Sequence, residues 1–285
     1  MNAIISEERK RYHQKLVSEK VFTIDKSGIP SNADRASRLS CSVGKYIADR
    51  LHASVSDKSV GQTMGSKFEQ ITMEFLRDTF LKIDLPFPSS WHIIRLGNNN
   101  PIKISDFAQY EHLDYLATLM ARTPELATTL GMEYTVNPDI VIYRDPVPDT
   151  DMNRVQLIVD DQSAFFADLR ERDGHLPLLH ASISTKWTMR SDRAQNSRTE
   201  ALNLIRNRKG HLPHIVAVTG EPMPGRIASI AMGTGDIDCV YHFALYELVE
   251  AVHQINAEDS IEMLDNLIQG KRLKDISDLS IDLLS

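Results

Sequence analysis

Cysteine is nearly absent from this chain, with two residues, Cys41 and Cys239, among 285. They stand far apart and belong to no paired spacing, so they support neither a disulfide framework nor a metal-ligand motif, and buried or neutral free thiols are expected. His211-Leu212-Pro213-His214, and Cys239 with His242, lack a second pair at finger spacing, so no zinc is expected. No apolar run approaches the roughly 18 residues that suggest a membrane span. The N-terminal MNAIISEERKRYHQK turns charged too early for a signal peptide. A cytoplasmic protein with no membrane partner is expected. Internal repeats and low-complexity tracts are missing too. Nor is there an excess of positive charge: 32 Lys and Arg stand against 39 acids, for a net charge of −7. Taken whole, that balance argues against a nucleic-acid partner, because Lys and Arg neutralising phosphates supply most non-specific DNA affinity.

What is present is ordinary in amount and uneven in distribution. A hydrophobic fraction of 42% and a charged fraction of 25% are those of a soluble globular protein. The length suffices for a full core, and one domain is favoured over two modest ones. Lys186 to His211 carries seven Lys and Arg against two acids, a local +5. Asp236 to Ser285 carries eleven acids against three bases, a local −8. One segment is therefore suited to phosphates and another is not.

Periodicity divides the chain in the same uneven way. Helical spacing marks Glu7–Glu19, Val43–Ala53 and Ser66–Ile83, the last with Phe68, Phe75, Leu76 and Phe80 on one stripe and Thr63 as its expected cap. Trp91–Leu96 alternates like a strand, Gly97-Asn98-Asn99-Asn100-Pro101 reads as a turn, and Ser105–Leu130 reads as one long helix. Short β-branched runs then follow at Asp139–Tyr143, Leu178–Trp187, Pro213–Thr219 and Ile237–Phe243. Helices are expected at Arg193–Lys209, Ala244–Ile255 and Ser260–Gln269, and Arg144–Asn153 reads as a surface loop. Strands separated by helices predict an α/β domain with a mixed central sheet, a helical part over about 1–130 and a sheet core over about 131–245 packed as one domain.

Pro138-Asp139 opens an apolar strand, and Lys186 lies on another, two residues after Ser184. Side chains on a strand alternate with period two, so Ser184 and Lys186 share a face. A carboxylate at the end of one strand and a lysine on a neighbour can converge on one scissile phosphate. Phosphodiester hydrolysis needs an activated water, neutralisation of the growing charge and stabilisation of the leaving oxygen, which Asp139 with a divalent metal and Lys186 can meet. The position two before the lysine, where an acid would share the strand face, is Ser184. Glu200, fourteen residues after Lys186 and two helical turns from Arg193 on the same face, can replace that acid.

This arrangement, PD followed by S-x-K and a glutamate on the next helix, resembles the CCGG-cutting restriction endonucleases of the PD-(D/E)XK superfamily. The run HASISTKWTMRSDRAQNSRTEALNLIRNRKGHLPHIVAVT is similar to the NgoMIV-type endonucleases, as are Arg226 with the following IASIAMGTGDIDCVYHFALYEL and the late GKRLKDISDL. Those enzymes are tetramers that cut GCCGGC, and the similarity extends from Ser6 to Leu284. The resemblance implies that Asp139 and the backbone carbonyl of Thr185 hold Mg²⁺ and that Lys186 positions the attacking water. Ser184, Glu200 and Glu69 then shape the site. Thr185 stands where the related enzyme has a cysteine, a change of little weight if only the carbonyl binds metal.

Arg190-Ser191-Asp192-Arg193 is matched to sequence reading. Each arginine can donate to guanine O6 and N7, and Asp192 can accept from cytosine N4 groups. For the outer G·C pair the resemblance points to Asp34 in the major groove and to Gln62 and Arg226 in the minor groove. It further implies a homotetramer of two dimers, each clamping one palindrome, a cut after the first G that leaves 5′-CCGG overhangs, and a cognate methyltransferase acting on the same site without stable binding. Other expectations remain beside it: cleavage at another CCGG-containing site, a non-cleaving DNA-binding regulator with the same fold, and a general repair or recombination nuclease. Plainer readings exist for each residue. Glu69 can serve as the polar face of its helix, Glu200 can neutralise neighbouring arginines, and Gly233-Thr234-Gly235-Asp236 is a tight turn, not a phosphate cradle.

Overall fold

A computed structural model describes residues 3–56, 61–96, 101–123, 125, 128, 138–189, 191–233 and 235–285, without the side chains of 61, 62 and 191–194. Contacts divide the chain into two interleaved units. One comprises Met1–Lys82, Ile183–Thr199 and Ile215–Ser285, and the other Ile83–Ser182 and Glu200–His214. Six strands follow one another in sheet order as in sequence: β1 (Trp91–Arg95), β2 (Ile140–Arg144), β3 (Leu178–Lys186), β4 (His214–Thr219), β5 (Cys239–His242) and β6 (Leu273–Asp275). β1 and β2 pair antiparallel, with Ile93 opposite Ile142, whereas β4 pairs parallel with β5 and β5 with β6. The sheet is therefore mixed, as the alternation of strands and helices predicts.

In the first unit, α1 (Ile4–Ser18) and α3 (Gly61–Thr79) pack through one stripe each. Phe68, Ile71, Phe75 and Leu76 are buried at helical spacing, and the Tyr12 ring lies 5.3 Å from Phe75 while its hydroxyl shares a hydrogen bond of 3.1 Å with Thr72. α3 begins at or before Gly61, so Thr63 lies within the helix and does not cap it. α2 (Arg38–Arg50) is capped by Ser37, whose side chain accepts from the Ser40 N–H. α1 is also held by Arg9, which donates to Asp275 at 2.8 and 2.9 Å and to Glu247 at 3.0 and 2.7 Å. Trp187, immediately after β3, sits in a cluster with Phe22, Phe68 and Phe243, ring centroids 5.0–5.7 Å away. α7 (Pro224–Ala231), α8 (Leu245–Gln254), α9 (Glu258–Gln269) and the terminal α10 (Leu279–Asp282) complete this unit.

In the second unit, the helix expected over Ser105–Leu130 is shorter. A single 3-10 turn at Ile104–Asp106 is followed by α4 (His112–Arg122), and most of the remaining stretch lies outside the described residues. The interruption has a local cause. The Gln109 side chain binds the main chain of Leu179 on both sides, donating to its carbonyl at 2.7 Å and accepting from its N–H at 3.0 Å. The Ala108 N–H is drawn to the Pro177 carbonyl at 2.9 Å, and the Gln109 carbonyl accepts from the Lys209 N–H at 2.9 Å. Those contacts use groups a continuous helix would need internally. Between α5 (Asp149–Met152) and β3 a long loop is organised around Arg170, whose buried guanidinium donates to Asp149, to the Asp160 carbonyl and to the Ser163 carbonyl. α6 (Ser191–Asn207) links β3 to β4.

Candidate active site and recognition surface

Pro138 is buried and Asp139 half-buried, immediately ahead of β2, where the Asp139 carbonyl accepts from the Leu96 N–H at 3.1 Å and carries the β1 pairing one residue further. Lys186 is the last residue of β3. Along that strand end, Ile183, Thr185 and Trp187 are buried while Ser184 and Lys186 are partly exposed, so these two share a face as their spacing requires. The Lys186 carbonyl is doubly held, accepting from the Thr219 hydroxyl at 2.8 Å and the Gly220 N–H at 3.1 Å. Ser184 shares a hydrogen bond of 3.3 Å with Ser197 of α6. Ser197, Ala201 and Leu204 are that helix's buried stripe, and half-buried Glu200 follows Ser197 by one turn. Glu69 is half-buried in α3, beside the fully buried Phe68.

Asp192 and Arg193 lie in the first turn of α6 and Gln62 in the first turn of α3, with side chains outside the described residues, as is Arg190 altogether. Asp34 and Arg226 are brought together as an ion pair between the loop ahead of α2 and the first turn of α7. That loop is stiff. The Asp34 N–H donates to Ser40 Oγ at 2.9 Å, its carboxylate accepts from the Ala36 N–H at 3.0 Å, and Asn32 donates to the Gly220 carbonyl at 2.8 Å.

Two residues that sequence reasoning did not single out organise this region. A Cβ on Gly220 would lie 2.4 Å from the Trp187 ring and 2.8 Å from the Trp187 carbonyl, so only glycine allows β4 to end against β3 here. Glu221 is fully buried, and its carboxylate accepts from the Met189 N–H at 2.9 Å and the Met223 N–H at 3.2 Å, with Arg226 Nη1 3.9 Å away. Burial pushes its carboxyl up to about 7, against the opposing pull of those donors and of Arg226. Behind it, His242 accepts from the Ala244 N–H through Nδ1 at 3.1 Å and so donates from Nε2 to the Glu221 carbonyl at 3.2 Å. Burial lowers His242 to about 4 and keeps it neutral. An acid directly after a strand-ending Thr-Gly is the sole hint the sequence offered of Glu221.

Among the described residues, no three His, Cys, Asp or Glu side chains are grouped to hold a metal ion. Asp139 and the Thr185 carbonyl, the two groups the sequence resemblance points to, each offer oxygen, the donor type a hard divalent cation prefers.

A family profile described as NgoMIV restriction enzyme matches residues 12–285. The type II restriction enzyme NgoMIV of Neisseria gonorrhoeae is 49% identical over 284 residues, covering 99% of each chain. A solved complex of the restriction endonuclease PspGI with substrate DNA is similar at 14% identity and a TM-score of 0.35, over 99% of this chain and 92% of that one.

Proposed function

Because the chain belongs to the NgoMIV restriction enzyme family, a group of type II endonucleases of PD-(D/E)XK fold, we propose that it hydrolyses both strands of double-stranded DNA at GCCGGC. Cleavage after the first G, leaving 5′-CCGG overhangs, belongs to the same reading. The observation that carries it is identity to a type II enzyme along the whole chain, together with Pro138-Asp139, Ser184-Thr185-Lys186, Glu200 and Arg190-Ser191-Asp192-Arg193 in one sequence. The endonuclease is read as a single domain over residues 1–285.

Asp139 and the Thr185 carbonyl would hold Mg²⁺, which when bound neutralises phosphate charge and makes water more acidic. Lys186 orients the attacking water and offers a positive charge to the phosphate. The two bonds that hold its carbonyl fix the strand end from which the side chain extends. Ser184, braced by Ser197, and Glu200 beyond it would hold waters around the phosphate, with Glu69 in support. Arg190, Asp192 and Arg193 read the CCGG core through guanine acceptors and cytosine donors. The outer pair falls to Asp34, Arg226 and Gln62. Because Asp34 and Arg226 are paired in the DNA-free chain, their ion pair must open if the two reach opposite grooves.

We read the assembly as a homotetramer of two palindrome-clamping dimers. In the loop ordered by Arg170, Val155, Leu157 and Phe166 are 88%, 79% and 97% exposed. Apolar side chains held out on an ordered loop suit contact with another copy. No helix among the described residues is long and apolar enough to cross a membrane. A cytoplasmic enzyme accompanied by a cognate methyltransferase completes the reading. Mapping the ends produced by wild type and Lys186→Ala tests the chemistry. Metal-dependent cuts lost in the variant support it, whereas DNA binding without any cut by folded wild type leaves a DNA-binding regulator.

A further inference from the structure

Four recognition and catalytic elements meet at Thr219-Gly220-Glu221, the three residues at the end of β4. Thr219 and Gly220 hold the Lys186 carbonyl at 2.8 and 3.1 Å. The Gly220 carbonyl accepts from Asn32, two residues ahead of Asp34, at 2.8 Å. One oxygen of Glu221 takes the Met189 N–H at 2.9 Å, just before the Arg190–Arg193 run, and the other takes the Met223 N–H at 3.2 Å, just before α7 and Arg226. The Met189 and Met223 N–H groups lie outside the named strands, so the carboxylate supplies them with the partner that strand pairing gives elsewhere.

We propose that Glu221 is a specificity-positioning residue, which bridges the start of the CCGG-reading helix and the start of the Arg226 helix through one rigid carboxylate. The inner four bases and the outer pair are then read in fixed register, and the lysine strand is held to the same turn. A buried carboxylate accepting two main-chain N–H groups is well suited to this, since both acceptors are fixed by one planar group with no water between. Its carboxyl also lies 3.9 Å from the Arg226 guanidinium, which pairs with Asp34 in the DNA-free chain, so Glu221 stays beside Arg226 when that pair opens. DNA contact by Glu221 itself is not needed, because its carboxylate is fully buried.

The inference rests on the proposed reading of the outer pair by Asp34 and Arg226, and its test separates the two. Cleavage of duplexes that differ only in the outer pair, GCCGGC against ACCGGT, is measured for wild type, Glu221→Gln, Glu221→Asp and Arg226→Gln, with melting curves on each protein. Glu221→Gln keeps shape but turns one acceptor into a donor facing an N–H, and Glu221→Asp keeps both acceptors and withdraws them by one methylene. Both are expected to lower the kcat/KM ratio between the two sites about tenfold or more. In an Arg226→Gln background, Glu221→Gln is expected to lower the ratio little further, as coupled residues do. Equal losses on both duplexes, or an unchanged ratio in a folded Glu221 variant, would overturn the proposal by showing a merely structural carboxylate. An unchanged ratio in Arg226→Gln would instead sink the outer-pair reading, and this inference with it. Should the Gln variant fail to fold, the Asp variant decides the question by the same ratio.

Discussion

At the residue scale, the side chains proposed to act are ordinary polar residues, and the roles proposed for Asp139 and Lys186 follow from the strand ends that carry them. Asp139→Ala and Lys186→Ala are each expected to lower cleavage by at least about a thousandfold while leaving DNA binding within a fewfold, checked by single-turnover cutting beside a gel-shift titration. The buried Glu221 and His242 make opposed contributions to stability. Glu221, raised from 4.5 to about 7, is bound more tightly by its proton in the folded chain, so its contribution is full at low pH and is lost as pH rises toward 7. His242, lowered from 6.5 to about 4, contributes fully above its ordinary value, and that contribution is lost as pH falls toward 4. The two slopes offset one another between about pH 4 and 7. Glu221→Gln removes one of them. Its stability relative to wild type should rise by about 3 kcal/mol between pH 5 and pH 8, in urea unfolding at both values. Parallel pH curves for the two proteins would refute this.

At the element scale, local pattern disclosed most of the fold, and side-chain contacts to distant main chain account for most of what it did not. Apolar stripes marked α1, α2 and α3, and β-branched runs marked β2, β3, β4 and β5, because burial on one face leaves a period in the sequence. The interruption ahead of α4 left no such trace, since it depends on Gln109 meeting Leu179, seventy positions away. β6 has three residues and α7 eight, too few for periodicity to register. The same limit hid Glu221 and Gly220, whose importance lies in contacts with Met189 and Trp187. Strand alternation put Ser184 and Lys186 on one face, as their shared partial exposure shows, whereas no local period relates Asp139, ahead of another strand, to them. Packing between elements can be tested in two places. Arg9→Ala leaves the fully buried Asp275 without the cation that holds it below the ordinary carboxylate range despite burial, and should cost about 3–5 kcal/mol in denaturant unfolding. Gly220→Ala drives a methyl into Trp187 and should destabilise by about 3 kcal/mol, with cutting reduced at every site alike.

At the scale of the whole molecule, the acidic net charge is segregated: the basic stretch coincides with the end of β3 and with α6, the acidic stretch with β5 through α10. Assembly is expected to depend on the Arg170-ordered loop. Replacing Val155 and Phe166 together by serine should leave the melting temperature nearly unchanged, since both are exposed, and should shift sedimentation from tetramer to dimer. A tetramer that persists would move the interface elsewhere. The central claim, site-specific metal-dependent cleavage, is tested most directly by digesting a plasmid of known GCCGGC and other CCGG sites with Mg²⁺, alongside Asp139→Ala, and sequencing the ends. The account predicts cuts after the first G of GCCGGC alone, absent from the variant. Cutting at every CCGG, or no metal-dependent cutting by folded protein, would contradict it.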